Sequence, residues 1–286
     1  MKFGAHSQMF VHEFDASAVG LLDAAANWGL DLLEIHVADA ERFPVNELRT
    51  ALASSPVGVV LGTALQQHNS PVSDDPEIRA RAWKHLRTCI DVAVDIGASK
   101  VCGGLHSANG HFVGRARTEA EWALSVDFLR RAGQYAAERN VLLTVEPVSR
   151  YSGYFLNSAA DGIALVDEVG SPAVRLQLDT WHMNIEEADS ASAIRSAASR
   201  LQHVHLVESH RGVPGTGQVP WQRVFEALLE IGYDGACVFE FFPVSLQAMA
   251  VRTHTWRDLG SSQDVVTVGL RRMREALEAA RSSNHP

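Results

Sequence analysis

The stretch VLLTVEPVSRYSGYFLNSAADGIALVDEVGSPAVRLQLD (141–179) sets the pattern of the chain. An apolar run, VLLTVEP (141–147), leads into a segment of helical period near 158–169, and a second apolar run, VRLQLD (174–179), follows. Strands that read as continuous apolar runs are covered on both faces, as in a parallel sheet. The rhythm extends in both directions. Upstream lie KFGAHS (2–7), DLLEIHV (31–37), VGVVLGTAL (57–65) and KVCGGLH (100–106); downstream lie HVHLVE (203–208) and ACVFEF (236–241). Helical segments read near 15–28, 118–138, 189–199, 221–231 and 263–281. The clearest starts at Asp75-Pro76, a capping residue before a proline suited to the first helical position, and stops at Gly97. Its apolar positions are Ile78, Trp83, Leu86, Ile90 and Val94. Eight runs alternating with about eight helices predict an α/β fold, a single (β/α)8 TIM barrel, rather than an open doubly wound sheet.

The chain has 286 residues, 46% hydrophobic and 21% charged, which suits one barrel domain spanning residues 1–286. No linker, low-complexity tract or charge block divides it. The formal net charge of −9 opposes a nucleic-acid partner, which needs a basic stripe, although a small phosphorylated ligand stays compatible with a local pocket. The start, MKFGAHSQMF, lacks the long apolar run of a signal peptide. No run approaches the ~18 apolar residues of a membrane helix. Cys89, Cys102 and Cys237 are odd in number and sit in apolar surroundings, so they read as buried free thiols of a reducing compartment. The expectation is a cytoplasmic protein with no membrane partner.

Active sites of such barrels lie at the C-terminal ends of the strands. Glu146 ends the fifth run, Asp179 ends the sixth, His205 lies in the seventh and Glu240 ends the eighth. They are 33, 26 and 35 residues apart, each about one strand–helix unit, so four consecutive strands aim a carboxylate or imidazole at one place. One polar residue at a strand end needs only solvent or a helix N-terminus to explain it. Three carboxylates meeting without a partner repel and resist joint ionisation. A divalent cation removes that conflict, and three oxygen donors with one nitrogen and no thiolate suit Mn²⁺, Co²⁺ or Mg²⁺ better than structural zinc.

Other histidines recur at strand ends: His6, His36 and His106 close runs one, two and four, and His68 follows run three. They read either as ordinary polar strand ends or as a histidine-lined mouth for a larger or more acidic ligand; His6 and His106 are candidate substrate-binding residues. His203, two residues before His205, should share its face deeper in the barrel. The glycine-rich GVPGTG (212–217) leads to Pro220-Trp221 rather than to a phosphate-binding helix start, so it reads as a loop with Arg211 at its entrance.

The segments EPVSRYSGYFLN (146–157), LDTWHMNIEE (178–187), HLVESHRG (205–212) and IGYDGACVFE (231–240) together resemble the ketose 3-epimerases, the D-tagatose and D-allulose 3-epimerase group of the xylose-isomerase-like barrels. The resemblance is densest over 140–242. It implies that Glu146, Asp179, His205 and Glu240 hold the metal, with Mn²⁺ ahead of Co²⁺ or Mg²⁺. It further implies that Glu146 and Glu240 are the catalytic pair, and that His182 and Arg211 hold oxygens at the ketose head. The implied reaction inverts C3 of a ketose or related keto-sugar through a cis-enediolate, one glutamate removing a proton and the other returning one to the opposite face. A homodimer or homotetramer is also implied, with 243–262, including Trp256, as interface or lid. One position departs from the pattern: six residues after Glu146 the family places a second, substrate-touching glutamate, and here that position is Ser152. A serine is no charge-assisted acceptor, so the selection of ordinary hexuloses should weaken. Two alternatives follow: a lyase or dehydratase acting on a 3-keto-glycoside or oxidised inositol, and an inactive sugar-binding barrel.

Overall fold

The computed structural model describes residues 1–283 and turns the eight apolar runs into eight parallel strands. These are β1 (Lys2–His6), β2 (Leu32–His36), β3 (Gly58–Ala64), β4 (Lys100–Gly104), β5 (Leu142–Val145), β6 (Val174–Asp179), β7 (Leu201–Leu206) and β8 (Ala236–Phe239). Each pairs with the next, and β8 returns to β1 with Lys2 opposite Ala236, so the sheet closes into the expected barrel. The last three residues of the predicted domain, 284–286, lie outside the described residues.

Around the strands run α1 (Leu21–Asn27), α2 (Val45–Leu52), α3 (Pro76–Ile96), α4 (Glu119–Ala137), α5 (Ala159–Val169), α6 (Thr180–Glu186), α7 (Ser190–Ala197) and α8 (Trp221–Glu230), then α9 (Gln247–Thr253), the short α10 (Ser262–Asp264) and α11 (Leu270–Ser283). The α3 boundaries follow from chemistry. Asp75 accepts the backbone N–H of Glu77 at 2.8 Å, and Gly97 takes the left-handed φ of 73° that ends the helix. Its buried stripe is Ala82, Leu86, Cys89, Ile90 and Ala93, whereas Val94 is exposed. Successive four-residue steps drift about 40° around a helix, which carries Val94 off the face that Leu86 defines.

The segment 15–28 is not one helix: a 3₁₀ turn over Ala16–Ala18, capped by Asp15, precedes α1. Sequence periodicity also missed α2, α6 and α9, of seven or eight residues each, too short to establish a period. The predicted helix 263–281 divides into α10, a π-helical turn over Val265–Gly269, and α11.

The main apolar core lies between strands and helices and includes Phe155, Phe225 and Phe239, each fully buried and contributing roughly 1.5–3 kcal/mol. Inside the barrel, among the described residues, a small apolar cluster forms from Leu32, Val60, Cys102, Ala236 and Val238. The rest of that interior is polar, with Glu34, Gln177, His203 and His205 all buried. The three cysteines are buried and free. Among the described residues no helix is long and apolar enough to cross a membrane.

Candidate active site and metal centre

Four side chains converge at the C-terminal mouth of the barrel. Asp179 and His205 are direct Cα partners across β6 and β7, and His205 is the partner of Val238, two residues before Glu240. Side chains alternate along a strand, so that register turns all three to the same interior face. Glu146, just past β5, is held by its backbone N–H on the Gly103 carbonyl at 3.1 Å. Nδ1 of His205 lies 3.4 Å from Oε1 of Glu146, 3.7 Å from Oδ2 of Asp179 and 4.0 Å from Oε1 of Glu240. The structure therefore brings together the four residues that the strand-end spacing selected.

Asp179 does two things at once. Its Oδ1 caps α6, accepting from the backbone N–H groups of Trp181 at 2.6 Å and His182 at 3.1 Å. Its Oδ2 is buried with no hydrogen-bond partner. A buried acceptor left open beside two more carboxylates and an imidazole is the arrangement a divalent cation satisfies, and the ligand atoms of Asp179, His205 and Glu240 all lie within 4.8 Å of one another. The donor set, oxygen with one imidazole and no thiolate, suits a hard or borderline divalent ion.

The electrostatics show how strained the cluster is with protons alone. Burial pushes the Glu146 carboxyl up to about 7, and the charges of Asp179 and Glu240 add to the rise against the opposing pull of His205. His205 is driven the other way: burial disfavours its charge, but Glu34, Asp179 and Glu146 raise it well above the usual histidine range. Asp179 is lowered, because His205, His182 and Arg211 outweigh the effect of its burial.

A cavity of about 600 Å³ opens over this cluster. His182, on α6, lines it; its Nδ1 accepts the backbone N–H of Ser149 at 2.9 Å, tying the β5 and β6 loops together. Burial lowers its pKa to about 4, so the ring is neutral and carries its proton on Nε2. Arg211 also lines the cavity, its guanidinium 4.0 Å over the Trp181 ring and 5.2 Å from that of Phe242, with Nη1 3.5 Å from Oε2 of Glu240. Its φ of 58° is a left-handed conformation in a non-glycine residue, costing about 1–3 kcal/mol that the surrounding loop must hold. Glu208 does the holding: fully buried, it accepts from the backbone N–H groups of Ser209, Gly215 and Val219 and from Nε1 of Trp221, at 2.8 to 3.1 Å.

Ser152 and His6 reach the same cavity, as does His36. Ser152 sits on a loop whose carbonyl accepts from Gly110 N at 2.8 Å, with Tyr151 and Phe112 exposed at the rim. The structure does not bring His106, a candidate substrate-binding residue, to the cavity lining. Beyond the end of β4 the chain turns, and the His106 ring packs with its centroid 5.6 Å from that of Phe155, buried and away from the cavity lining. Burial there, reinforced by Arg117, lowers its pKa to about 3. His68 is exposed on a 3₁₀ turn outside the cavity. His203 lies below His205, fully buried, as the strand alternation requires. Sequence reading passed over Glu34 and Glu208. For Glu34 a signal was available, a lone carboxylate inside the apolar run DLLEIHV.

Residues 22–281 match the family model of xylose isomerase-like TIM barrels. The chain is also 33% identical over 267 residues to a ketose 3-epimerase of Arthrobacter globiformis, covering 92% of each chain. The chain belongs to the ketose 3-epimerase family of these barrels. Among its relatives is an L-ribulose 3-epimerase of Mesorhizobium japonicum, 34% identical over 90% of this chain and 88% of that one. Its fold matches that of a D-allulose 3-epimerase from Methylomonas sp. solved in complex with D-allulose, with a TM-score of 0.92 and 30% identity over 96% of this chain and 97% of that one.

Proposed function

We propose that the protein is a divalent-metal-dependent epimerase that inverts C3 of a ketose or closely related keto-sugar. One observation carries this reading. Glu146 and Glu240 arrive from β5 and β8, on different sides of the barrel, and both reach within 4.0 Å of the same His205 nitrogen. A sugar carbon seated over that point has a carboxylate on each face. Glu146, Asp179, His205 and Glu240 would hold the cation, which when bound supplies Lewis-acid stabilisation of charge building on the carbonyl oxygen.

The chain's own residues account for the rest. One glutamate takes the C3 proton, the electron pair moves towards C2 and its carbonyl oxygen, and the other glutamate delivers a proton to C3 from the opposite face. His182 donates its Nε2–H to a sugar oxygen. Arg211, packed against the rings of Trp181 and Phe242, holds another oxygen. The 3-epimerase relatives favour this chemistry over the lyase, dehydratase and inactive-barrel alternatives.

Three finer readings go with it. The ion is Mn²⁺, with the mixed oxygen–nitrogen donor set as support. The working form is a homodimer or homotetramer, supported by the exposed Val244, Val251 and Trp256 in the segment after β8. The compartment is the cytoplasm, for which three free buried thiols argue. We read the whole chain, residues 1–286, as one domain.

The test is exchange in D₂O. Mn²⁺-loaded protein incubated with a panel of ketoses and keto-glycosides should place deuterium at C3 of at least one, seen by NMR even where net turnover is small. A metal-bound protein that exchanges no C3 proton across the panel would end this reading.

A further inference from the structure

Glu34 has no part in the reaction as described, yet it occupies a costly position. It lies within β2, 1% exposed, in the polar interior directly beneath the four converging side chains. Its Oε2 accepts from Nε2 of His203 at 2.8 Å and from Nε2 of His205 at 3.0 Å, while Oε1 stands 3.8 Å from Nε2 of His6. The fold reserves space for it. A Cβ on Gly62 of the neighbouring β3 would meet Oε1 of Glu34 at 2.6 Å, so that position leaves room for the carboxylate only as glycine.

The consequence concerns His205. A neutral imidazole carries one proton, and the nitrogen at hydrogen-bond distance from a carboxylate keeps it when the other nitrogen meets a cation. With Glu34 at Nε2, the lone pair falls on Nδ1, the atom that faces Glu146, Asp179 and Glu240. A partner of the same chemistry on the wrong side would present an N–H to the cation instead of a lone pair.

We propose that Glu34 is a positioning residue of the metal centre: its carboxylate fixes His205 as the Nε2–H tautomer and strengthens Nδ1 as a ligand, with His203 anchoring the carboxylate from below. This rests on the proposed metal centre and adds to it a carboxylate that acts through His205 rather than as one of the four ligands. Gly62 joins the same device by keeping the Glu34 site open.

Two variants test it from different directions. Glu34→Gln keeps the shape and removes the charge. Gly62→Ala leaves Glu34 in the chain but displaces it from its seat. For the unaltered protein and each variant, Mn²⁺ affinity is measured by calorimetry, metal-free melting by circular dichroism, and the His205 tautomer by ¹⁵N NMR of histidine-labelled, Mg²⁺-loaded protein. The expected result is a roughly 10- to 100-fold loss of Mn²⁺ affinity in both variants, with a shifted His205 ¹⁵N pattern. Unchanged affinity in the variants, with normal binding by the unaltered protein, overturns the role of Glu34 alone. So does an affinity loss that merely follows a lower melting temperature while the Nε2–H tautomer persists. Absence of Mn²⁺ and Mg²⁺ binding by the unaltered protein overturns the metal centre itself and this inference with it.

Discussion

Nδ1 of His205 and Oε1 of Glu146 are 3.4 Å apart. That is long for a charge-assisted hydrogen bond but less than twice the ~2.1 Å of a typical metal–oxygen bond. The same holds for the 3.7 Å and 4.0 Å separations from His205 to Asp179 and Glu240. These separations fit the proposed ligands of one ion better than hydrogen-bond partners.

Asp179→Asn separates the two tasks of that side chain. The amide oxygen can still accept from Trp181 and His182, which places the NH₂ group where Oδ2 meets the cluster. Mn²⁺ binding should weaken by more than ~100-fold, while metal-free stability should change by less than ~1 kcal/mol because the cap survives. Calorimetry and thermal melting read the two effects separately.

Metal binding should depend on pH with a defined sign. In the metal-free protein Glu146 keeps its proton up to about pH 7, above its ordinary 4.5, and a bound cation needs the carboxylate. Affinity should therefore fall more steeply as pH drops through about 7, the Glu146 proton adding roughly tenfold per unit to the dependence that His205 deprotonation already imposes. For the metal-free protein the raised pKa means a contribution to stability that is present below 4.5 and lost as pH rises through about 7. The rise in melting temperature on adding Mn²⁺ should then be larger at pH 8 than at pH 6. An equal rise at both would show that Glu146 gives up no proton on binding.

Glu146→Gln and Glu240→Gln should each cut C3 exchange by at least ~100-fold, the scale of a lost general base or acid. The two should differ in which substrate epimer they affect more, since each carboxylate serves one face. Near-normal exchange in either variant would reduce that glutamate to a ligand.

Ser152 is expected to weaken selection for free hexuloses, leaving D-tagatose and D-allulose as poor substrates. Its loop is already fixed, by the Gly110 contact and by Nδ2 of Asn157 on the Val148 and Gly153 carbonyls at 2.8 and 2.9 Å. Ser152→Glu should thus raise kcat/KM for these sugars by about 10- to 150-fold, the equivalent of ~1.5–3 kcal/mol. No gain would indicate a pocket rebuilt for another keto-sugar.

Glu208→Gln should destabilise the protein by roughly 2–3 kcal/mol, because an amide nitrogen then faces backbone and indole N–H donors in a buried site. The loop carrying Arg211 loosens with it, so KM should rise more than kcat falls. Denaturant titration and steady-state kinetics check both halves.

The barrel and the four converging residues are legible in the chain alone. Continuous apolar strands spaced by helices leave few alternatives to a closed parallel sheet, and residues one strand–helix unit apart at strand ends must meet at its mouth. Glu146, Asp179, His205 and Glu240 are legible because their relation is periodic along the chain. What lies across the barrel emerges only on folding. Glu34 and His203 are 169 residues apart and no local pattern joins them. Nor does chain position reveal that the His106 ring turns away under Phe155 while that of His6 turns in. A strand end fixes where a side chain starts; which way it points past the last ladder bond depends on the turn that follows and on what packs against it.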